Sequence, residues 1–107
     1  MQEQDTKTRF IELNEKLQKM HEDNSDLFDV AKVIGESLDT YVIITNHKNE
    51  IVGNYGPKIP INCLRYSMQT KATLHLFSMD PLNEYVYDEP SVRNYVLPVL
   101  VQWFETE

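Results

Sequence analysis

Cysteine, glycine and clustered basic residues are all scarce in this sequence. Of its 107 residues, one is cysteine and three are glycine. Because Cys63 is alone, no internal disulfide can form, and a lone thiol suits a reducing compartment, so we expect a cytoplasmic protein. Three separated glycines, Gly35, Gly53 and Gly56, exclude a glycine-rich phosphate loop.

The charge balance is acidic, and basic residues are scattered. Ten Lys and Arg against seventeen Asp and Glu give a formal net charge of −7. Nucleic-acid binding depends on clustered cations that neutralise phosphates, so we expect no direct binding of nucleic acid. The longest apolar runs, such as residues 41–44, are too short to span a bilayer, and no secretory signal is recognisable, so we expect no membrane association. The acidic excess either keeps the domain soluble or presents an acidic face to a basic partner.

No catalytic or metal-binding motif is recognisable. His21, His47 and His75 lie in three separate segments, without the paired His and Cys spacing of a zinc site. No serine stands in a nucleophile-elbow pattern, and Cys63 lies only two residues from Arg65, which would place them on different faces of a helix. We therefore expect no catalytic residues, no metal and no cofactor, and a protein that is not an enzyme.

The beginning of the chain has helical spacing. An amphipathic helix is predicted over residues 5–20, with an apolar stripe formed by Phe10, Leu13, Leu17 and Met20. This stripe either covers its own domain or forms an interface with a second copy. Ser25 or Asp26 is the predicted N-cap of a second helix, in which Gly35 would permit close packing.

Strand patterns dominate the rest of the chain. Residues 41–45 and 50–55 flank a polar turn and predict an antiparallel hairpin whose first strand is central. Residues 61–71 predict a helix, and residues 74–77 fit a strand or a helix end. Residues 85–87 predict a short strand. Residues 92–104 predict a long strand that Pro98 confines to an edge or a bulge.

These elements predict one α+β domain over residues 1–107, with the N-terminal helices packed against an antiparallel sheet and a sensor core over residues 25–104. The apolar residues between the sheet and the helices form either a filled core or an adaptable pocket. Arg65 distinguishes the two alternatives. Beside an apolar pocket, Arg65 would hold a carboxylate or phosphate, whereas on an open surface it would not indicate a binding site.

Several segments together resemble the N-terminal effector-binding GAF domain of the CodY family of bacterial repressors. The likeness lies in Thr6-Lys7-Thr8-Arg9, in residues 26–31, in the hairpin of residues 41–45 and 50–53, in Phe77 with Asn83-Glu84-Tyr85, and in Val96-Leu97-Pro98-Val99. A PAS domain, which also has an apolar strand, a polar turn and a return strand, is the rival assignment.

The resemblance implies a sensor of a small metabolite such as a branched-chain amino acid, in a transcription regulator. It implies that Arg65 holds the ligand carboxylate and that the pocket is lined by Met68, Phe77, Leu97, Pro98 and Val99. The alternative is a dimerisation or protein-interaction module with no ligand, whose interface comprises the N-terminal stripe with Trp103 and Phe104. A homodimer or a partner protein is expected in either case.

Overall fold

Two helices begin the chain in the computed structural model, which describes residues 2–56, 64–68, 70–77, 85 and 88–105, with side chains from 7 to 104. Helix α1 comprises Gln2–Glu22 and α2 comprises Leu27–Leu38. The Asp26 side chain accepts a hydrogen bond of 2.8 Å from the backbone N–H of Phe28, so Asp26 is the N-cap of α2, as one of the two predictions had it.

The apolar stripe of α1 faces the core of its own chain. Phe10, Leu13 and Leu17 are fully buried, and Met20 packs against the same cluster. Of the two predicted roles of the stripe, the structure supports the one in which it covers its own domain. The predicted interface role of Phe10, Leu13 and Leu17 is corrected accordingly, because side chains without exposed area offer nothing to a second copy, whereas the interface role of the partly exposed Met20 stays a prediction.

Four strands form one antiparallel sheet, which confirms the α+β fold class. They are β1 (Tyr41–Thr45), β2 (Ile51–Tyr55), β3 (Leu64–Ser67) and β4 (Thr73–Phe77), and their order across the sheet is β2-β1-β4-β3. The predicted hairpin is β1–β2, and β1 is central, as expected. The sheet therefore has two edges, β2 and β3.

Strand register gives each face of the sheet its own set of side chains. The inner face, which the helices cover, carries Val42, Ile44, Gly53, Tyr55, Leu64, Tyr66, Leu74 and Leu76. The opposite side is the outer face, and it carries Tyr41, Ile43, Thr45, Asn54, Arg65, Ser67, Thr73, His75 and Phe77. Alternation along each strand thus separates an apolar set from a mixed one.

Helix α2 approaches β2 closely because Gly35 has no side chain. A Cβ at Gly35 would collide with the Tyr55 ring and lie 2.8 Å from the Thr40 carbonyl oxygen. On the strand, a Cβ at Gly53 would lie 2.6 Å from the carbonyl oxygen of Leu27. The predicted role of Gly35 in close packing is confirmed.

The helix predicted over residues 61–71 is wrong where the structure describes it. Residues 64–67 form β3, and residues 61–63 lie outside the described residues. The positions Leu64 and Met68 are four apart, a spacing that also fits one side of a strand with Tyr66 between them. The ambiguous residues 74–77 belong to β4.

The strand predicted over residues 92–104 is also wrong, because this part of the chain is helical. The C-terminal helical segment, residues 89–105, comprises Glu89–Ser91, a π-helical turn at Val92–Val96, then Leu97–Leu100 and Gln102–Glu105. Its fully buried residues Val92, Val96 and Leu100 are four apart and pack in the core. Of the strand predicted over residues 85–87, Tyr85 is helical and the other two residues lie outside the described part.

The proline of this segment is accommodated at the beginning of a helical turn. Pro98 follows the π-helical turn and stands among the first residues of Leu97–Leu100, where its missing N–H removes little. Nearby, the carbonyl oxygen of Tyr95 accepts a hydrogen bond of 2.7 Å from Asn14 Nδ2 of α1. A side-chain hydrogen bond from Asn14 therefore links the π-helical turn to α1.

Two aromatic residues near the end of the C-terminal helical segment, Trp103 and Phe104, pack against the rest of the chain, and Trp103 contacts the end of α1 and the turn after it. Trp103 Nε1 donates a 2.9 Å hydrogen bond to the Ser25 carbonyl, and its ring lies 4.8 Å from that of His21. Phe104 packs against the core. Both residues thus form an intramolecular clamp, and because both remain partly exposed their predicted interface role stays a prediction. No helix in the described part of the chain is long and apolar enough to cross a membrane.

Candidate ligand-binding face of the sheet

One cross-strand row on the outer face carries the predicted key residue. Arg65 on β3 pairs with His75 on β4, which pairs with Ile43 on β1, which pairs with Asn54 on β2. Directly opposed residues in an antiparallel sheet have Cβ atoms about 4.5–5.5 Å apart. Arg65 and His75 are therefore neighbours although ten positions separate them in sequence.

Arg65 is an exposed cation on the outer face. Its side chain is exposed, and among the described residues its guanidinium makes no hydrogen bond and no ion pair. A guanidinium has five N–H donors in a planar arrangement that matches a carboxylate or a phosphate. By charge and geometry, Arg65 is suited to an anionic group.

His75 is the half-buried neighbour of that cation. Its Nε2 lies 3.1 Å from Thr45 Oγ1 on β1, which fixes the ring on the outer face. Burial is the main reason that the pKa of His75 lies below its ordinary value of 6.5, and the Arg65 charge lowers it further. His75 is therefore neutral at pH 7.

Apolar side chains lie beside this polar pair. Ile43 is 7% exposed and Phe77 is 6% exposed, although neither belongs to the core cluster on the inner face. The Tyr41 ring lies 5.3 Å from the Phe77 ring, and Thr40 Oγ1 donates a 2.7 Å hydrogen bond to the Phe77 carbonyl. The outer face thus places an apolar patch next to Arg65 and His75.

The six predicted ligand-binding residues do not line one pocket. Arg65 and Phe77 lie on the outer face, on neighbouring strands. Met68, Leu97 and Val99 are buried in the core cluster on the helix side, and Pro98 is exposed. The prediction of a single site is corrected, because residues 97–99 are helical rather than part of a strand that could face Arg65.

A second concavity lies between α1 and the end of α2. This cleft, of about 630 Å³, is lined by Thr8, Arg9, Glu12, Leu13, Lys16, Glu36, Ser37 and Tyr85. Arg9 already has partners within the chain. Its Nη1 donates a 2.9 Å hydrogen bond to the Ser37 carbonyl oxygen, and its Cζ lies 4.7 Å from the centre of the Tyr85 ring. With two basic and two acidic side chains, the cleft favours neither sign of ligand charge.

Metal binding finds no support in the described residues, where no group of three or more His, Cys, Asp and Glu could hold an ion. Sequence reasoning named Arg65 as a ligand contact but gave His75 and Thr45 no role in the site. The missed signal was the alternation within residues 73–77. Read as a strand, it places His75 on the face opposite to Leu74 and Leu76.

Comparison with known proteins assigns no family. Family models, curated proteins and solved structures all give no match to this chain. The resemblance to the CodY GAF domain therefore depends only on the sequence segments named above, and the candidate site depends on the geometry of the outer face.

Proposed function

We propose that this chain is a regulatory domain that binds a small carboxylate-bearing metabolite on the outer face of its sheet. The observation that carries the proposal is Arg65, an exposed cation with no partner among the described residues, beside the apolar pair Ile43 and Phe77. An anionic group would bind the guanidinium through two parallel hydrogen bonds, while an apolar tail would contact the neighbouring patch.

The ligand class follows from this pairing of a charge with an apolar surface. A carboxylate with a short branched aliphatic tail satisfies both, and a branched-chain amino acid, which the CodY resemblance implies, has this form. The apolar side chains of the outer face nearest to this pair are Tyr41, Ile43 and Phe77. Ile43 and Phe77 are only 7% and 6% exposed, so the tail would contact mainly Tyr41 and the exposed edges of the other two, rather than the core residues Met68, Leu97 and Val99. The proposal thus keeps the predicted anchor and replaces most of the predicted lining.

The strands beneath the ligand connect the outer face to the helices. His75 stands between Leu74 and Leu76, which are fully buried on the inner face. On β3, Tyr66 follows Arg65, and the Arg93 guanidinium carbon lies 5.3 Å from the centre of the Tyr66 ring. A ligand that prefers one arrangement of β3 and β4 shifts the helical layer by its differential affinity alone. A dimer partner or a following domain would detect that shift.

A thermal melt with small metabolites tests the proposal. Isoleucine, leucine and valine are added separately to the purified chain, to Arg65→Ala and to the control Lys48→Ala, which removes an exposed cation from the β1–β2 turn. A ligand at about 100 times its dissociation constant stabilises the folded state by about 2.7 kcal/mol, which is several degrees for a domain of this size. We expect this shift in wild type and Lys48→Ala and its loss in Arg65→Ala.

The opposite result would favour the interaction module. If no carboxylate stabilises the wild-type chain, or if Arg65→Ala responds as wild type does, the proposed site is wrong. Phe10, Leu13 and Leu17 are buried within the chain itself, so an interaction surface would have to use the partly exposed Met20, Trp103 and Phe104 or another part of the chain. The molecular mass in solution would be the next measurement.

A further inference from the structure

We propose that His75 is a second ligand-contacting residue and that a carboxylate at Arg65 binds together with one proton taken up by His75. This inference rests on the proposed function, since it concerns the same site. It adds a pH-dependent component to the affinity and names a residue that the sequence motifs do not single out.

The first argument is position. His75 is the register partner of Arg65 on the adjacent strand, and the side chains of both project from the outer face. A carboxylate has two oxygens, each able to accept more than one hydrogen bond. An anion held by the guanidinium in this row therefore lies within reach of the neighbouring imidazole ring.

The second argument is the set of charges around the ring. From β3, His75 faces Arg65; from β1 it faces Ile43 and Thr45; and along its own strand Thr73 shares its face. Within the described residues, Arg65 is therefore the one charged group facing it. In the empty site this cation opposes protonation of His75, and a bound carboxylate reverses that balance by placing a negative charge beside both groups.

The third argument is the contact with Thr45. A hydroxyl can both donate and accept, so Thr45 Oγ1 can donate to the neutral Nε2 of His75 or accept from it after protonation. The 3.1 Å contact therefore serves both charge states without movement of the ring. Nδ1, which makes no hydrogen bond within the described part of the chain, is left to face a ligand.

The linkage has a definite sign. One proton moves from solvent to the imidazole when the carboxylate binds, so affinity rises as the pH falls. The rise begins near the pKa of His75 in the occupied site and ends near its pKa in the empty site, which lies below 6.5. Between these limits a single linked proton changes the affinity by at most about tenfold per pH unit.

Calorimetric titrations test this linkage with three probes, isoleucine, isovalerate and 4-methyl-2-oxopentanoate, between about pH 5.5 and 8, the range in which histidine titrates. We expect the wild-type affinity to rise several-fold as the pH falls, with proton uptake visible in buffers of different ionisation enthalpy. His75→Gln should bind more weakly and with little pH dependence. His47→Gln, which changes an exposed histidine in the β1–β2 turn, should behave as wild type.

The outcomes separate this inference from the proposed function. Binding that needs Arg65 but does not vary with pH, or that varies equally in His75→Gln, overturns the role of His75 and leaves the proposed function intact. No binding of any probe at any pH overturns both. NMR titration of the His75 ring in the wild-type chain provides a readout that does not depend on a folded variant: its pKa should rise when a probe binds, and an unchanged pKa overturns the inference.

Discussion

The two faces of the sheet use the same four strands for different purposes. On the inner face, Leu74 and Leu76 are inaccessible to water and belong to one continuous core with α1, α2 and the C-terminal helical segment. On the outer face, the residues between them are Thr73, His75 and Phe77, which combine hydrogen bonding, charge and apolar area. The inner-face side chains hold the fold, whereas the outer face carries the polar pair Arg65 and His75 that the proposed site uses.

The contrast follows from what each face is packed against. Helix side chains exclude water from the inner face, so a polar group there would lose its hydration without compensation. The outer face retains an exposed arginine and a half-buried histidine, whose single described partner is Thr45. Substitutions of the buried inner-face residues should therefore change stability, whereas substitutions of Arg65 and His75 should change binding and pH response.

The largest expected effect is on the inner face. Leu74→Ala removes a fully buried side chain and should lower the free energy of unfolding by about 2–5 kcal/mol. Its exposed counterpart Ile51→Ala, at a residue 41% exposed on β2, should cost less than about 1 kcal/mol. Urea denaturation measures both. Equal losses would remove the distinction between the faces.

The next effect concerns the close approach of α2 to the sheet. Gly35→Ala improves helix propensity by about 1 kcal/mol. The added Cβ, however, would collide with the Tyr55 ring and the carbonyl oxygen of Thr40. The carbonyl oxygen can move away only if the backbone itself moves. We expect a net loss of about 1–2 kcal/mol in urea denaturation. The exposed neighbour Lys32→Ala should stay within about 0.5 kcal/mol of wild type, and a stabilised Gly35→Ala would contradict the packing described for α2.

A smaller effect should follow loss of the aromatic clamp. Trp103→Phe keeps a ring in place but removes the Nε1 donor from the Ser25 carbonyl. The unpaired carbonyl and the smaller ring together should cost about 1–2 kcal/mol by urea denaturation. Gln102→Ala, one residue earlier and exposed, is the control. A Trp103→Phe chain as stable as wild type would show that the clamp contributes little to the free energy of unfolding.

The smallest effect is the pH dependence that the outer face imparts to stability. Because the folded-state pKa of His75 is lowered, the unfolded chain binds a proton more readily than the folded chain. Stability should therefore fall as the pH decreases from about 6.5, the unfolded value, through the lower folded-state pKa. His75→Gln should flatten this part of the stability curve, and His47→Gln should not. Arg65→Gln should narrow the pH range over which stability falls, since it removes one cause of the lowered pKa of His75.

The local elements predictable from the sequence were those with a clear period or a recognisable boundary. Helix α1 has the apolar stripe, α2 has the period and the N-cap Asp26, and the β1–β2 hairpin has a polar turn; all three are present. Two assignments failed because apolar spacing was ambiguous. Leu64 and Met68 fit a helix as well as a strand, and the Val-rich residues 92–104 have β propensity, which packing against α1 overrides in favour of a helix.

The site was predictable only in part. Arg65 could be named because an arginine beside an apolar pocket can hold a carboxylate or phosphate, but its neighbours depend on strand pairing. The opposition of Arg65 and His75 requires the β3–β4 register, and the contact of His75 with Thr45 joins residues 30 positions apart. The error over residues 61–71 hid that register, and with it the one pair of titratable side chains that the proposed site uses.

The contacts that link α1 to the C-terminal helical segment have a consequence for synthesis of the chain. Asn14 bonds to Tyr95 across 81 positions, and Trp103 bonds to Ser25 across 78. During translation, the stripe of Phe10, Leu13 and Leu17 therefore leaves the ribosome long before Val92, Val96 and Leu100 exist to cover it. Such non-local closure is slow and leaves apolar surface exposed meanwhile, so nascent chains are expected to depend on chaperones until residue 100 has emerged.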